Sequence, residues 1–208
     1  MSPAKAGPVA LAILAKAPIP GYAKTRLVPV IGAHAAAVLQ ERLTERATET
    51  AVAAAVGPVT IWGVPNHTHR SFTELAGRLP VGLKPQPDGD LGVRMLAAIA
   101  AAGGRALVIG SDCPALTPEH LQAAAAALDD ADAVVIPAED GGYVLIGARV
   151  PIPSLMMEMT WSTPQVMEET RRRAAASGLR LSELSPLWDV DDAAGLDRLD
   201  REHPDLAL

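Results

Sequence analysis

One cysteine, Cys113, stands in 208 residues. A single thiol excludes an internal disulfide framework and a thiolate metal site. Positive charge is also in short supply: 18 Lys and Arg face 24 Asp and Glu, for a net charge of −6. That balance argues against a nucleic-acid binder and against a membrane-surface protein. No apolar run is long enough to span a bilayer, and no apolar stretch follows a basic segment at the N-terminus as a signal peptide requires. The expectation is a soluble, cytoplasmic protein. Internal repeats and long linkers are missing too. The chain is long enough for one domain with a complete core. Its apolar share, 49%, excludes disorder throughout. Residues 1–8 are expected as a disordered lead and 9–208 as one domain.

Against the acidic background one stretch stands out. Lys16 to Leu27 reads K-A-P-I-P-G-Y-A-K-T-R-L and follows the apolar run Val9 to Ala15. A run of that length, ended by Pro and Gly, reads as a buried parallel strand. Pro18 and Pro20 stiffen the following loop, and Gly21 lets its backbone approach a ligand. Lys16, Lys24 and Arg26 place three cations in it. Ligands of open parallel sheets bind beyond the carboxyl ends of the strands, so the loop is expected to hold nucleotide phosphates. A surface loop of solvated lysines is the plainer alternative.

Strands and helices then alternate. A helix is expected from about His34 to Ala55, where Leu39, Leu43, Ala47 and Ala51 recur every fourth residue. Val59 to Val64 reads as a strand. His67 and His69 read as an exposed loop pair, and a short helix is expected from Ser71 to near Gly77. Lys84 to Gly92 reads as a loop before a helix from about Val93 to Ala102; amides near Gly89 and Gly92 can meet a phosphate or a base edge, or form an Asp-capped turn. Ala106 to Gly110 is another buried strand, and it runs directly into Ser111-Asp112-Cys113-Pro114. A carboxylate there faces the same crevice as the basic loop, and a hard cation such as Mg²⁺ takes one or two carboxylates plus substrate phosphates. Asp112 suits that role; an Asx turn before proline is the structural alternative. Cys113 reads as a packed residue, since no histidine is near it in sequence.

Thr117-Pro118 signals a helix start, running to about Leu128. Ala133 to Pro137 is a strand. After Glu139-Asp140-Gly141-Gly142, Tyr143 to Gly147 is a further strand, possible in antiparallel pairing. The apolar stretch through Met156, Met157, Met159 and Trp161 suits a lid, an acceptor pocket, core packing or a dimer contact. Ser162-Thr163-Pro164 is expected to open a helix stopped at Gly178. Arg171, Arg172 and Arg173 near its end suit the negative end of the helix dipole and are read as structural. Leu179 to Leu184 reads as an edge strand. Trp188-Asp189-Val190-Asp191-Asp192 precedes a short last helix, with Asp192 as its cap and Asp191 a candidate second metal ligand.

A-K-A-P-I-P-G-Y-A-K-T-R-L, G-S-D-C-P-A-L-T, D-G-G-Y-V-L-I-G, W-S-T and a closing D-V-D, in that order, span essentially the whole chain. The set resembles an uncharacterised bacterial family of the nucleotide-diphospho-sugar transferase superfamily, whose members carry the provisional label glycosyltransferase. The K-T-R-L portion is similar to phospholactate guanylyltransferases, and G-S-D-C-P to molybdenum-cofactor guanylyltransferases and sugar nucleotidyltransferases. The resemblance implies the glycosyltransferase type A fold: a three-layer α/β/α sandwich on a mostly parallel sheet with an antiparallel strand. It implies nucleotide binding by Ala15, Lys16, Gly21, Lys24, Thr25, Arg26, Gln86, Gly89 and Asp90. It places the metal aspartate at Asp112 and a completing ligand at Asp191. The superfamily's T-P-E-D-L that follows is Asp192-Ala193-Ala194-Gly195-Leu196 here, and Asp112 belongs to no D-x-D triplet.

These features lead to a metal-dependent transferase using Mg²⁺ or Mn²⁺, a nucleotide donor and a small acceptor. Lys16, Lys24, Arg26 and Asp112 are the expected catalytic residues. Asp140, Gly141, Gly142, Tyr143 and Trp161 are expected near the acceptor. Glycosyl transfer from a nucleotide-diphospho-sugar is the first expectation. Nucleotidyl transfer from a triphosphate is the alternative, and a catalytically silent nucleotide-binding protein is the third. The protein is expected as a monomer or homodimer.

Overall fold

The apolar run before the basic loop forms β1, Ala10–Lys16. Its alternate side chains serve two cores. Leu11, Ile13 and Ala15 pack in one hydrophobic cluster, and Ala12 and Leu14 in another on the opposite face. A strand buried on both faces must be covered by a layer on each side, and the helices supply those layers. The structure, a computed structural model, describes residues 7–208. The lead expected over residues 1–8 lies outside the described residues, apart from exposed Gly7 and Pro8.

After β1 come α1 (Val28–Ala54), β2 (Val59–Val64), α2 (Arg70–Arg78), β3 (Val81–Pro85), α3 (Leu91–Ala102), β4 (Ala106–Gly110) and α4 (Pro118–Ala127). The second half holds β5 (Ala133–Pro137), β6 (Tyr143–Ala148), α5 (Pro153–Met156), α6 (Val166–Ala176), β7 (Leu181–Glu183) and α7 (Ala193–Glu202). The sheet runs β3-β2-β1-β4-β6-β5-β7. Its strand pairs are parallel except for β6, which runs antiparallel to both β4 and β5. This is the expected three-layer α/β/α sandwich. Residues from β1, β2, β4 and β5 pack with α1, α2 and α4 on one face, and with α3, α5 and α6 on the other.

Several local expectations stand as read. Leu39, Leu43, Ala47 and Ala51 form the buried stripe of α1. Thr117 caps α4 with Pro118 next to it, and Asp192 caps α7 by accepting from the Gly195 amide at 2.9 Å. Asp90 caps α3, accepting from the Val93 amide at 2.9 Å. The arginine run of α6 is structural: Arg171 pairs with Glu183, and Arg172 and Arg173 with Glu169.

Others are corrected. His67 and His69, expected as an exposed loop pair, are instead half-buried, and His69 caps α2, accepting from the Ser71 amide. No strand is expected between the helix ending near Gly77 and the loop from Lys84, yet β3 forms there and runs into that loop; it is a mostly exposed edge strand ending in Lys84 and Pro85, so it lacks the continuous apolar run that marks its neighbours. The helix expected to open at Ser162-Thr163-Pro164 begins at Val166, after Gln165. The methionine stretch contains the short α5, with Leu155 and Met156 buried in the second core. The first helix begins at Val28, with a break at Gly32 (φ 80°).

A third apolar cluster decides where the site sits. Leu27, Leu39 and Leu43 pack against Trp188, Val190, Leu196 and Leu199. It clamps the C-terminal segment onto α1, beside the end of the basic loop. None of the described helices is long and apolar enough to cross a membrane.

Candidate active site

Parallel pairing aligns Leu14 of β1 with Gly110 of β4. The basic loop and Ser111-Asp112 therefore leave the sheet side by side, at its carboxyl edge. The third partner arrives from the other end of the chain. The Val190 amide donates to the Asp112 carbonyl at 2.9 Å, which holds Asp191 beside Asp112.

Lys24 closes the arrangement. Its ammonium lies 2.8 Å from Asp112 Oδ1 and 3.5 Å from Asp191 Oδ1, and donates to the Val190 carbonyl at 2.7 Å. Its side chain is only 3% exposed, whereas those of Asp112 and Asp191 are 38% and 40% exposed. The backbone at Lys24 adopts φ 48°, the left-handed region that a lysine rarely enters. Arg26 reaches Asp191 Oδ2 at 3.3 Å from a more exposed position.

Asp112 is oriented from below. Buried Gln40 and Thr44 of α1 share a hydrogen bond of 3.0 Å, and Gln40 Nε2 donates to Ser111 Oγ at 2.8 Å. Ser111 Oγ in turn donates to Asp112 Oδ1 at 3.2 Å. This polar chain crosses an otherwise apolar helix–sheet contact, where every buried polar group needs a partner.

These groups open on a cleft of about 510 Å³. Of the residues expected at the site, Ala15, Lys16, Lys24, Thr25, Arg26, Gln86, Asp112, Tyr143 and Asp191 line it. Gly21, Gly89, Asp90, Asp140, Gly141, Gly142 and Trp161 are not among its lining residues. Gly21 forms the exposed turn of the basic loop at φ 79°. Gly89 and Asp90 shape the start of α3, with Asp90 committed to its cap. Gly141 is packed against α6's approach: a Cβ there would meet the Pro164 carbonyl at 2.1 Å. Asp140 accepts from the Gly142 amide at 2.9 Å and faces an adjoining pocket of about 310 Å³, with Asp189, Asp191, Arg26 and Arg198. Trp161 stands edge-on to Tyr143, with ring centroids 6.2 Å apart.

Four functional candidates were not singled out from the sequence: Gln40, Ser111, Arg94 and Asp189. Gln40 carried a signal, since Gln40, Thr44 and Thr48 interrupt an apolar helix at four-residue spacing. Asp189 is half-buried and pushed up to about 7. Burial is the main cause, followed by the Asp191, Asp140 and Asp112 carboxylates, while Lys24 opposes them. Burial also pushes the Cys113 thiol up to about 12, which keeps it protonated and unreactive. Desolvation raises the Tyr143 hydroxyl as well.

A divalent cation fits the donor set. Asp112 and Asp191 offer hard oxygens and already converge on one positive charge, the Lys24 ammonium. No group of three metal-ligating side chains occurs among the described residues. Mg²⁺ commonly completes its shell with phosphate oxygens and water.

The strand order, with a cleft at the ends of β1 and β4, defines a nucleotide-diphospho-sugar transferase fold. A protein from Desulfovibrio desulfuricans G20 described as a “putative nucleotide-diphospho-sugar transferase” is 28% identical, with a TM-score of 0.83 over 95% of this chain and 90% of that one. A nucleotidyl transferase from Methanothermobacter shares the fold at 16% identity and a TM-score of 0.63, covering 93% of this chain and 96% of its own. So does 4-diphosphocytidyl-2C-methyl-D-erythritol synthase from Anaerococcus prevotii, at 12% identity and 0.58, over 91% and 95%. The chain belongs to the DUF2064 family, described as uncharacterized proteins conserved in bacteria, whose model matches residues 46–163. No curated protein matches the sequence.

Proposed function

We propose that the protein is an enzyme that transfers a group from a nucleotide donor, with the donor's phosphates held at the Lys24–Asp112–Asp191 cluster. The observation that carries this reading is the convergence of two carboxylates and a buried ammonium at the mouth of adjacent parallel strands. Asp112 and Asp191 would hold Mg²⁺ or Mn²⁺, which when bound neutralises phosphate oxygens and charge developing on the leaving group. Lys16 and Arg26, on the more open side of the cleft, would bind the same phosphates. Lys24 offsets the repulsion between the two carboxylates and supplies a fixed positive charge. Preorganised charge of this kind is usually the largest catalytic contribution. Tyr143, on the β6 side, and Ser162 would border the acceptor.

The donor we favour is a nucleotide-diphospho-sugar, with a small molecule as acceptor. The likeness to the Desulfovibrio protein, over nearly the whole of both chains, supports it. Nucleotidyl transfer from a triphosphate is the second reading. It is favoured by three loop cations around a single strand-end aspartate outside any D-x-D triplet.

Incubation with Mg²⁺ and radiolabelled sugar nucleotides or nucleoside triphosphates separates the two. Free nucleoside diphosphate supports glycosyl transfer, and pyrophosphate supports nucleotidyl transfer. Nucleotide binding that survives Asp112→Ala, with no turnover of any donor, would instead mark a silent binding protein.

A further inference from the structure

Four cations line the cleft, and Lys16, at the end of β1, is an exposed one among them. Lys24 and Arg26 are paired with Asp112 and Asp191. Arg94, half-buried on the first turns of α3, is held by neutral groups. Its Nε donates to the Gly89 carbonyl at 3.1 Å, and its Nη1 to Gln86 Oε1 at 3.2 Å. Gln86 is fixed in turn, its Nε2 donating to the carbonyls of Trp62 at 2.7 Å and Ala15 at 3.3 Å. The guanidinium is therefore oriented from β1 and β2 while its charge stays uncompensated among the described residues.

Arg94 also lies at a different end of the cleft from the phosphate cluster. Asp112 follows β4 and Gln86 follows β3, with β1 and β2 between them in the sheet. At the Gln86 end the wall includes Val64 and Leu91. The carboxamide there is engaged at both its nitrogen and its oxygen. An arginine has five N–H donors and no acceptor. With two donors bound to protein, the open polar edge at this end consists of donors.

Resting on the nucleotide-donor reading above, we infer that Arg94 is a specificity-determining residue that reads the O6 keto oxygen of guanine or the equivalent O4 of uracil or thymine on the donor's nucleobase. The donor is then a guanine, uracil or thymine nucleotide. Guanine presents O6 with N7 as acceptors, and uracil or thymine presents O4. Adenine and cytosine carry an amino group at the corresponding position, which sets donor against donor and leaves both unpaired. Such mismatches at a polar site are rejected far more strongly than differences in size.

Calorimetric titration with Mg²⁺ and GDP, UDP, ADP, CDP or inorganic pyrophosphate tests this on the full chain. The wild type should bind GDP or UDP at least about tenfold more tightly than ADP and CDP, as one hydrogen bond from a charged donor provides. Arg94→Met should compress that preference to about threefold or less and leave pyrophosphate affinity unchanged, because the contact is to the base. Arg94→Lys keeps the charge but not the planar fork, and should also lose most of the preference. Thermal unfolding of each variant checks that the fold is intact. Three results overturn the assignment: equal affinity of the wild type for all four diphosphates, a preference that survives in Arg94→Met, or a loss of pyrophosphate affinity as large as that of GDP or UDP. The first leaves the nucleotide-donor reading standing. A wild type that binds neither diphosphates nor pyrophosphate removes that reading and this one together.

Discussion

The Lys24 ammonium sits 2.8 Å from the carboxylate of Asp112, with the Lys24 side chain almost wholly buried. The basic loop after β1 thus points its second lysine inward, onto the acid that follows β4, instead of out into solvent. Asp191 shares the same ammonium from the C-terminal segment. One side chain therefore ties together three stretches of chain distant in sequence.

Lys24→Met should lower stability by about 1–3 kcal/mol, measured as a shift in the urea midpoint. Breaking a buried ion pair typically costs about 3–5 kcal/mol, reduced here because both carboxylates are more than a third exposed. An unchanged urea midpoint in Lys24→Met would contradict the buried pairing.

The chain Gln40–Ser111–Asp112 predicts a second effect. Gln40→Leu leaves the buried Ser111 hydroxyl without its donor and should cost about 1–3 kcal/mol. Because Ser111 also bonds Asp112, transferase turnover should fall with little change in nucleotide affinity. Wild-type turnover in Gln40→Leu would remove Gln40 from the site.

Asp189 gives stability a pH dependence. Its folded pKa, pushed to about 7, lies above the value of about 3.9 for an unfolded aspartate. The folded state therefore holds the proton more tightly. Its contribution is complete below about pH 4 and is lost as pH rises through about 7. Asp189→Asn should match the wild type near pH 4 and become progressively more stable than it toward pH 8, in chelator-treated protein. Urea midpoints across that range measure the trend, and a difference that shrinks with rising pH contradicts it.

The parts legible in the sequence were those written in local pattern. The run Val9 to Ala15 had to be a buried strand, and the caps Thr117 and Asp192 named their helices. The antiparallel β6 was within reach because two glycines precede it. What stayed hidden depends on pairing between distant segments. Nothing in the composition of β6 says that it inserts between β4 and β5. β3 lies at an edge, where exposure relaxes the demand for apolar residues. Lys16, Lys24, Arg26 and Asp112 were chosen for their charge and their places after strands, and they line one cleft. Gly89 and Asp90, expected to bind nucleotide, and Gly141 and Gly142, expected near the acceptor, turn the chain outside the lining. Arg94 went unremarked because its meaning comes from Gln86, whose own anchors are carbonyls of two other strands.

The most direct test of the phosphate cluster is titration of a nucleoside diphosphate into wild type and Asp112→Asn, with Mg²⁺ and with chelator. Asp112→Asn preserves side-chain size and the Ser111–Gln40 bond and leaves Lys24 with Asp191 and the Val190 carbonyl; thermal unfolding checks that the variant is folded. The account predicts Mg²⁺-dependent binding in the wild type that disappears in Asp112→Asn and in chelator. Unchanged Mg²⁺-nucleotide affinity in a folded Asp112→Asn variant would contradict it.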